Sequence, residues 1–213
     1  MRDFIAERWT HILADSWQHL SLVVQCLILA TIIGVVCAAL SYQHPRLAAL
    51  ANNVSTVGLT IPSFALVGIL IIPFGFGVLP AVIVVTFFAT LPILRNAVVG
   101  LSEVDSNIVS AARGIGMSRI DTFFRVELPL AWPVILAGMR VSAQMTMGIA
   151  AVAAYALGPG LGGYIFFGLS RLGGANSFES VATGVIAVVI LALLLDLALI
   201  LLGRFTISRG IRV

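Results

Sequence analysis

Residues 110–129 read SAARGIGMSRIDTFFRVELP, a polar stretch in the middle of a 213-residue chain that is 60% hydrophobic and only 10% charged. Widened to residues 100–132, it holds Glu103, Asp105, Arg113, Arg119, Asp121, Arg125 and Glu127. Its pattern is that of two short helices with a break between them. Asp105 or Ser106 can cap the first, which runs through Ile108, Val109, Ala111 and Ala112. Gly114 and Gly116 supply the backbone freedom that ends helices. Ser118 with Asp121 three residues later predicts a second N-cap, over a helix presenting Ile120, Phe123, Phe124 and Leu128 and stopped by Pro129. A partly apolar helical knob of this kind needs a cover, either the membrane surface or another protein.

On both sides of the knob the chain is apolar, with a mean hydropathy of +1.12. A soluble domain carries about 25% charged residues, so this composition specifies an integral membrane protein. At about 20 apolar residues per crossing, five spans are expected: residues 20–40; 48–73 with Pro62; 78–99 with Pro80 and Pro92; 133–157; and 180–202. Residues 1–19, with Ile5, Trp9, Ile12, Leu13 and Trp17 at helical spacing, predict an amphipathic helix in the interface. A cleaved signal peptide fits less well, because the apolar run begins too late and is too long. The glycine-rich segment 158–179, apolar but broken, predicts a re-entrant or interfacial piece.

Every one of the 12 basic residues is arginine, against 9 acids. They bear on topology rather than on nucleic acid, since no basic stripe with interleaved aromatics exists. With five spans, Arg46, Arg95, Arg113, Arg119, Arg125, Arg204, Arg209 and Arg212 share a side, with Arg140 close to it, while Arg2, Arg8 and Arg171 lie on the other. The positive-inside rule then places the 100–132 loop and the C-terminus in the cytoplasm and the N-terminus outside. Cys26 and Cys37 are eleven residues apart on one helix, a rise of about 16 Å, too far for a disulfide.

Enzymatic signatures are missing. The three histidines, His11, His19 and His44, form no H-E-x-x-H pattern, no G-x-S-x-G elbow occurs, and no G-x-x-x-x-G-K-[ST] loop is present to bind ATP and magnesium by that route. Ionisable groups within spans are functional candidates. Arg140 and Asp196 fall at similar cytoplasmic depth and are expected to pair or to meet nearby polar groups. Ile61, Pro62 and Ser63 break the second span where loosened backbone can line a cavity or merely kink the helix. Phe64, Phe87, Phe88, Tyr155 and Phe166 are available ring faces for a cation, or packing residues.

The 110–129 stretch resembles the E-A-A-x-x-x-G-x9-I-x-L-P cytoplasmic loop of ABC importer permeases of the binding-protein-dependent, MetI-like type. Ala111, Ala112, Gly116, Val126, Leu128 and Pro129 fall in register, with Ser110 where the family carries glutamate. The segments GLTIPSFALVGILIIPFGFG, LPILRNAVVGL and GPGLGG extend the likeness over about residues 20–205 to permeases for osmoprotectants such as glycine betaine, carnitine, choline and proline betaine. The resemblance implies an all-α integral membrane fold of about five transmembrane helices, residues 1–213 forming one permease domain in the bacterial inner membrane. It implies that Ser110, Ala111, Ala112, Arg113, Gly116, Arg119, Val126, Leu128 and Pro129 dock on a cytosolic ATPase dimer, which holds ATP and magnesium; this chain would carry no cofactor. Arg113 and Arg119 would meet acids there. A second permease, identical or sister, and an extracytoplasmic substrate-binding protein complete the expected assembly. Import of another small polar solute such as an amino acid, export, or a non-transporting assembly role are the competing readings.

Overall fold

The computed structural model describes residues 1–207. Arg209 and Arg212 of the expected cytoplasmic C-terminus lie outside them. Helix α1 (Arg2–Ser41) is followed by α2 (Pro45–Gly58), α3 (Ser63–Phe74), α4 (Val78–Ser102), α5 (Ser106–Gly114) and α6 (Arg119–Thr122). A π-turn (Phe123–Glu127) leads into α7 (Leu128–Ala153), a 3-10 turn (Ala154–Ala156), α8 (Gly162–Leu169) and α9 (Ser177–Thr206).

Helix α4 is the core, with α1 and α7 packed on it and α9 on the far side of α7. Small residues set that spacing, as membrane helices without a hydrophobic drive require. A Cβ at Gly138 would stand 2.8 Å from Asn96 Cβ and 3.1 Å from the Pro92 carbonyl. Ser142 Oγ donates to the Ala89 carbonyl at 2.7 Å, and Asn96 Nδ2 to the Pro92 carbonyl at 2.8 Å, so polar side chains serve the backbone around the helix-interior Pro92.

Among the described residues, four helices are long and apolar enough to cross a membrane: Arg2–Ser41, Val78–Ser102, Arg119–Ala156 and Ser177–Thr206. The expected second span is instead two helices, α2 and α3, bent by 92° at the break before Ser63. Pro62 explains the break, since it lacks the N–H and forces Ile61 away from helical backbone.

Two further expectations are corrected. Residues 1–19 are no separate interfacial helix, because α1 is uninterrupted for 40 residues. Neither glycine nor proline occurs before Gly34 to break it. At about 60 Å it is twice the hydrocarbon thickness. Its first half packs inward through the buried Phe4 and His19, while Trp9 and Trp17 point outward. Pro129 does not stop a helix either. It occupies the first turn of α7, where its missing N–H is harmless, and the π-turn before it, with Leu128 N donating to the Phe123 carbonyl, widens the backbone enough to continue.

Polar contacts fix which loops share an end. Tyr42 with Glu127, Gln43 with Arg119, and Trp132 with Thr206 hold the α1–α2 turn, the 100–132 loop and the end of α9 together. At the other end, the N-terminal ammonium lies 3.8 Å from Glu179, Gly77 N donates to the Ala156 carbonyl at 2.7 Å, and His19 Nε2 is 3.1 Å from the Met147 carbonyl. The start of α1 and the end of α9 therefore lie at opposite ends of the bundle, as an odd number of crossings demands.

Candidate coupling surface and translocation elements

The 100–132 loop folds as its caps dictate. Asp105 Oδ1 accepts from Asn107 N at 2.8 Å, and Ser118 Oγ accepts from Asp121 N at 3.1 Å. Gly116, at φ 94°, turns the chain between the two helices. Of the residues in register with the motif, Ala112 is buried, Val126 and Leu128 are half-buried, and Ser110, Ala111, Arg113, Gly116, Arg119 and Pro129 are exposed. Ile115, Ile120 and Phe124 are 82%, 71% and 60% exposed. These apolar side chains are too open to be this chain's own core. Ser110, in the place of the family's glutamate, faces outward. Arg125 reaches Asp121 at 3.5 Å, an exposed pair worth little.

Arg119 is engaged within the chain. Its Nη2 donates to Gln43 Oε1 at 2.6 Å, Gln43 Nε2 donates to Tyr42 Oη at 2.5 Å, and Tyr42 Oη donates to Glu127 Oε2 at 2.6 Å. This chain of four side chains starts and ends on the 100–132 loop and passes through the α1–α2 turn. Glu127 is only 4% exposed, so its carboxylate depends on that hydroxyl. Burial, and then the carboxylate it bonds, push the Tyr42 phenol up to about 12. Sequence reasoning missed Tyr42, Gln43 and Glu127. The available signal was an acid between Val126 and Leu128 in an otherwise apolar segment.

Arg140 and Asp196 form a bidentate pair, Nε to Oδ1 at 2.8 Å and Nη2 to Oδ2 at 3.0 Å, tying α7 to α9. Ile61, Pro62 and Ser63 lie elsewhere, at the start of α3, with Ile61 and Pro62 exposed. The structure thus divides these five residues between an interhelical clasp and a broken span. Just past the break, Phe64 stacks obliquely on Tyr155, and Tyr155 on Phe166. Phe88 is core instead, packed edge-on to Phe87.

The glycine-rich segment lies at the end opposite the 100–132 loop. Helix α8 folds back on α9 through Ser177 Oγ to the Gly168 carbonyl and Ser180 Oγ to the Tyr164 carbonyl, both 2.8 Å. A Cβ at Gly162 would collide with the Ala151 carbonyl, backbone that cannot move aside for it.

Residues 30–207 match the family of binding-protein-dependent transport system inner membrane components. The chain belongs to that family. The permease is 36% identical to the carnitine transport permease protein of Listeria monocytogenes over 92% of this chain and 88% of that one. It is 37% identical to the osmoprotectant import permease protein of Salmonella typhimurium over 92% of both. With the choline transport system permease protein of Bacillus subtilis it shares 31% identity over 98% and 94% of the two chains. In structure it resembles a chain of the MetNI methionine ABC transporter in an inward-facing conformation, with a TM-score of 0.78, 19% identity, and coverage of 95% of this chain and 99% of that one. The likeness establishes the MetI-type fold. The permease is accordingly a multi-pass, non-enzymatic membrane subunit of an ABC importer, a family that works with an ATPase and a substrate-binding protein.

Proposed function

We propose that the permease forms the pathway through which an ATP-driven importer moves osmoprotectant quaternary ammonium compounds, the class of glycine betaine, choline, carnitine and proline betaine. The observation that carries the reading is near-full-length identity of 36–37% to permeases named for carnitine and osmoprotectants. ATP and its magnesium sit on a separate cytosolic ATPase dimer, docked on the surface of Ser110, Ala111, Arg113, Ile115, Ile120 and Phe124. A second permease, identical or sister, completes the pathway. A binding protein delivers substrate at the end closed by α8. The coupling loop and the C-terminus face the cytoplasm and the N-terminus lies outside, following the arginine distribution.

The geometry supplies a transmission. Helix α6 runs through the π-turn into α7 without interruption, so displacement of the knob displaces α7. The Arg119–Gln43–Tyr42–Glu127 chain passes the same displacement to the turn between α1 and α2. The Arg140–Asp196 clasp carries it to α9. Nucleotide binding can bias alternating access only through contacts that differ between the two states, and this knob reaches three membrane helices.

The test is co-purification of the tagged permease with the ATPase and binding protein expressed beside it. ATPase assays with glycine betaine, choline, carnitine and proline follow. The complex should be recovered, stimulated by the betaines, and lost in Phe124→Asp, whose ring is not part of the core. Recovery of no ATPase would overturn the reading.

A further inference from the structure

Three aromatic rings from three separate elements meet beside the broken span. Phe64 stands in the first turn of α3, directly after Pro62 and Ser63; Tyr155 is in the 3-10 turn that ends α7; Phe166 is in the middle of α8. The Phe64 and Tyr155 ring centroids are 4.8 Å apart and inclined at 59°, and those of Tyr155 and Phe166 are 5.7 Å apart at 56°. Tilted rings this close are a stable aromatic contact. Phe64 and Tyr155 nonetheless keep 50% and 49% of their surface open. The cluster is therefore packed enough to hold its shape and open enough to receive a third body.

Its position is built in. Pro62 and the 92° bend bring the chain to this point. The Tyr155 turn is closed by Leu157 N donating to the Ala154 carbonyl at 3.0 Å, with Leu157 held left-handed at φ 59°. Gly77 N pins the neighbouring Ala156 carbonyl, so the α3–α4 connection and the α7 terminus are tied together beside the rings. Among the described residues, the rings that carry a guanidinium over one face are Phe4 and Phe167, under Arg8 and Arg171. The three clustered rings are not among them.

Resting on the function proposed above, we propose that Phe64, Tyr155 and Phe166 form a transit site in the permease itself for the N-methylated ammonium head of the substrate. A quaternary ammonium is drawn to the negative face of an aromatic ring. It has no N–H, so it loses no hydrogen bond on leaving water for a site of ring faces. A primary ammonium would bring three donors and leave them unpaired. The residues flanking each ring in the chain carry no charge, and ring faces, which offer no strong hydrogen-bond acceptor, favour methylated over unmethylated cations. The site sits on the elements that the bend, the end of α7 and α8 jointly position, where a change in their relative placement opens or closes the rings.

The test uses the complete importer, permease with ATPase and binding protein, in proteoliposomes, with choline as the transported probe. Phenylalanine carrying one, two or three ring fluorines is introduced at position 64, and separately at 155, withdrawing charge from the ring face at nearly constant shape. The half-saturating choline concentration should rise stepwise with each fluorine, reaching roughly two- to thirty-fold, the range a cation–π contact spans. The same series at the buried Phe88 should give no graded rise. A flat series at 64 and 155, or an equal gradient at 88, overturns the site while leaving the importer's function intact. No uptake of choline, carnitine or glycine betaine by the unmodified complex overturns the functional reading, and the site with it.

Discussion

The hydroxyl of Tyr42 donates to Glu127 Oε2 across 2.6 Å, joining the end of α1 to the π-turn that leads into α7. The two residues are 85 apart in sequence, and they are the point where the 100–132 loop is fastened to a helix outside its own span. Leaving a buried carboxylate without its donor costs about 1–3 kcal/mol. Tyr42→Phe should lower thermal stability in detergent by that order. In the assembled importer it should raise ATP hydrolysed per substrate moved, because the knob then moves without carrying α1. Unchanged coupling would show that the bond is structural alone.

The same bond sets an alkaline limit. The folded-state value of Tyr42, at about 12, lies above the ordinary phenol value of about 10. Its contribution to stability is therefore complete below pH about 10 and is lost as pH rises through about 12. Melting temperature measured across that window should fall more steeply in the wild type than in Tyr42→Phe. Parallel curves would refute the assignment.

Arg140→Ala and Asp196→Ala should each reduce assembled permease in the membrane, since each strands the partner charge in a span. The loss should fall short of the ~3–5 kcal/mol of a fully buried pair, because the Arg140 side chain is 39% exposed. The double exchange Arg140→Asp with Asp196→Arg should recover part of the yield. Equal yields of all variants would count against the clasp.

Gly162→Ala and Gly163→Ala separate close approach from helix propensity. At Gly162 the new Cβ would collide with the Ala151 carbonyl, whereas at Gly163 it meets nothing within 4 Å. The first should cost at least ~1–3 kcal/mol. The second should be neutral, or stabilise by up to about 1 kcal/mol. Melting temperatures of the purified permease decide between them.

Much of the molecule is legible in one dimension. The apolar runs specify membrane helices, Asp105 and Ser118 cap where the pattern places them, and the motif from Ala111 to Pro129 declares its family because it is local and contiguous. The failures share a cause. Pro129 reads as a helix stop only if the turn before it is assumed to be α, and the π-turn is a property of backbone packed against neighbours. Residues 1–19 read as interfacial from their own stripe, but the absence of a helix breaker and the burial of Phe4 and His19 make them part of α1.

Composition and motif determined by themselves that this is a multi-pass membrane permease of the MetI type, because hydropathy and local spacing act within a few turns of chain. Only the tertiary structure decided which distant groups meet: Tyr42 with Glu127, Arg140 with Asp196, and Phe64 with Tyr155 and Phe166. Each of these pairings depends on where helices cross, and crossings are set by small-residue contacts such as Gly138 on Asn96. No periodicity within a single helix encodes them.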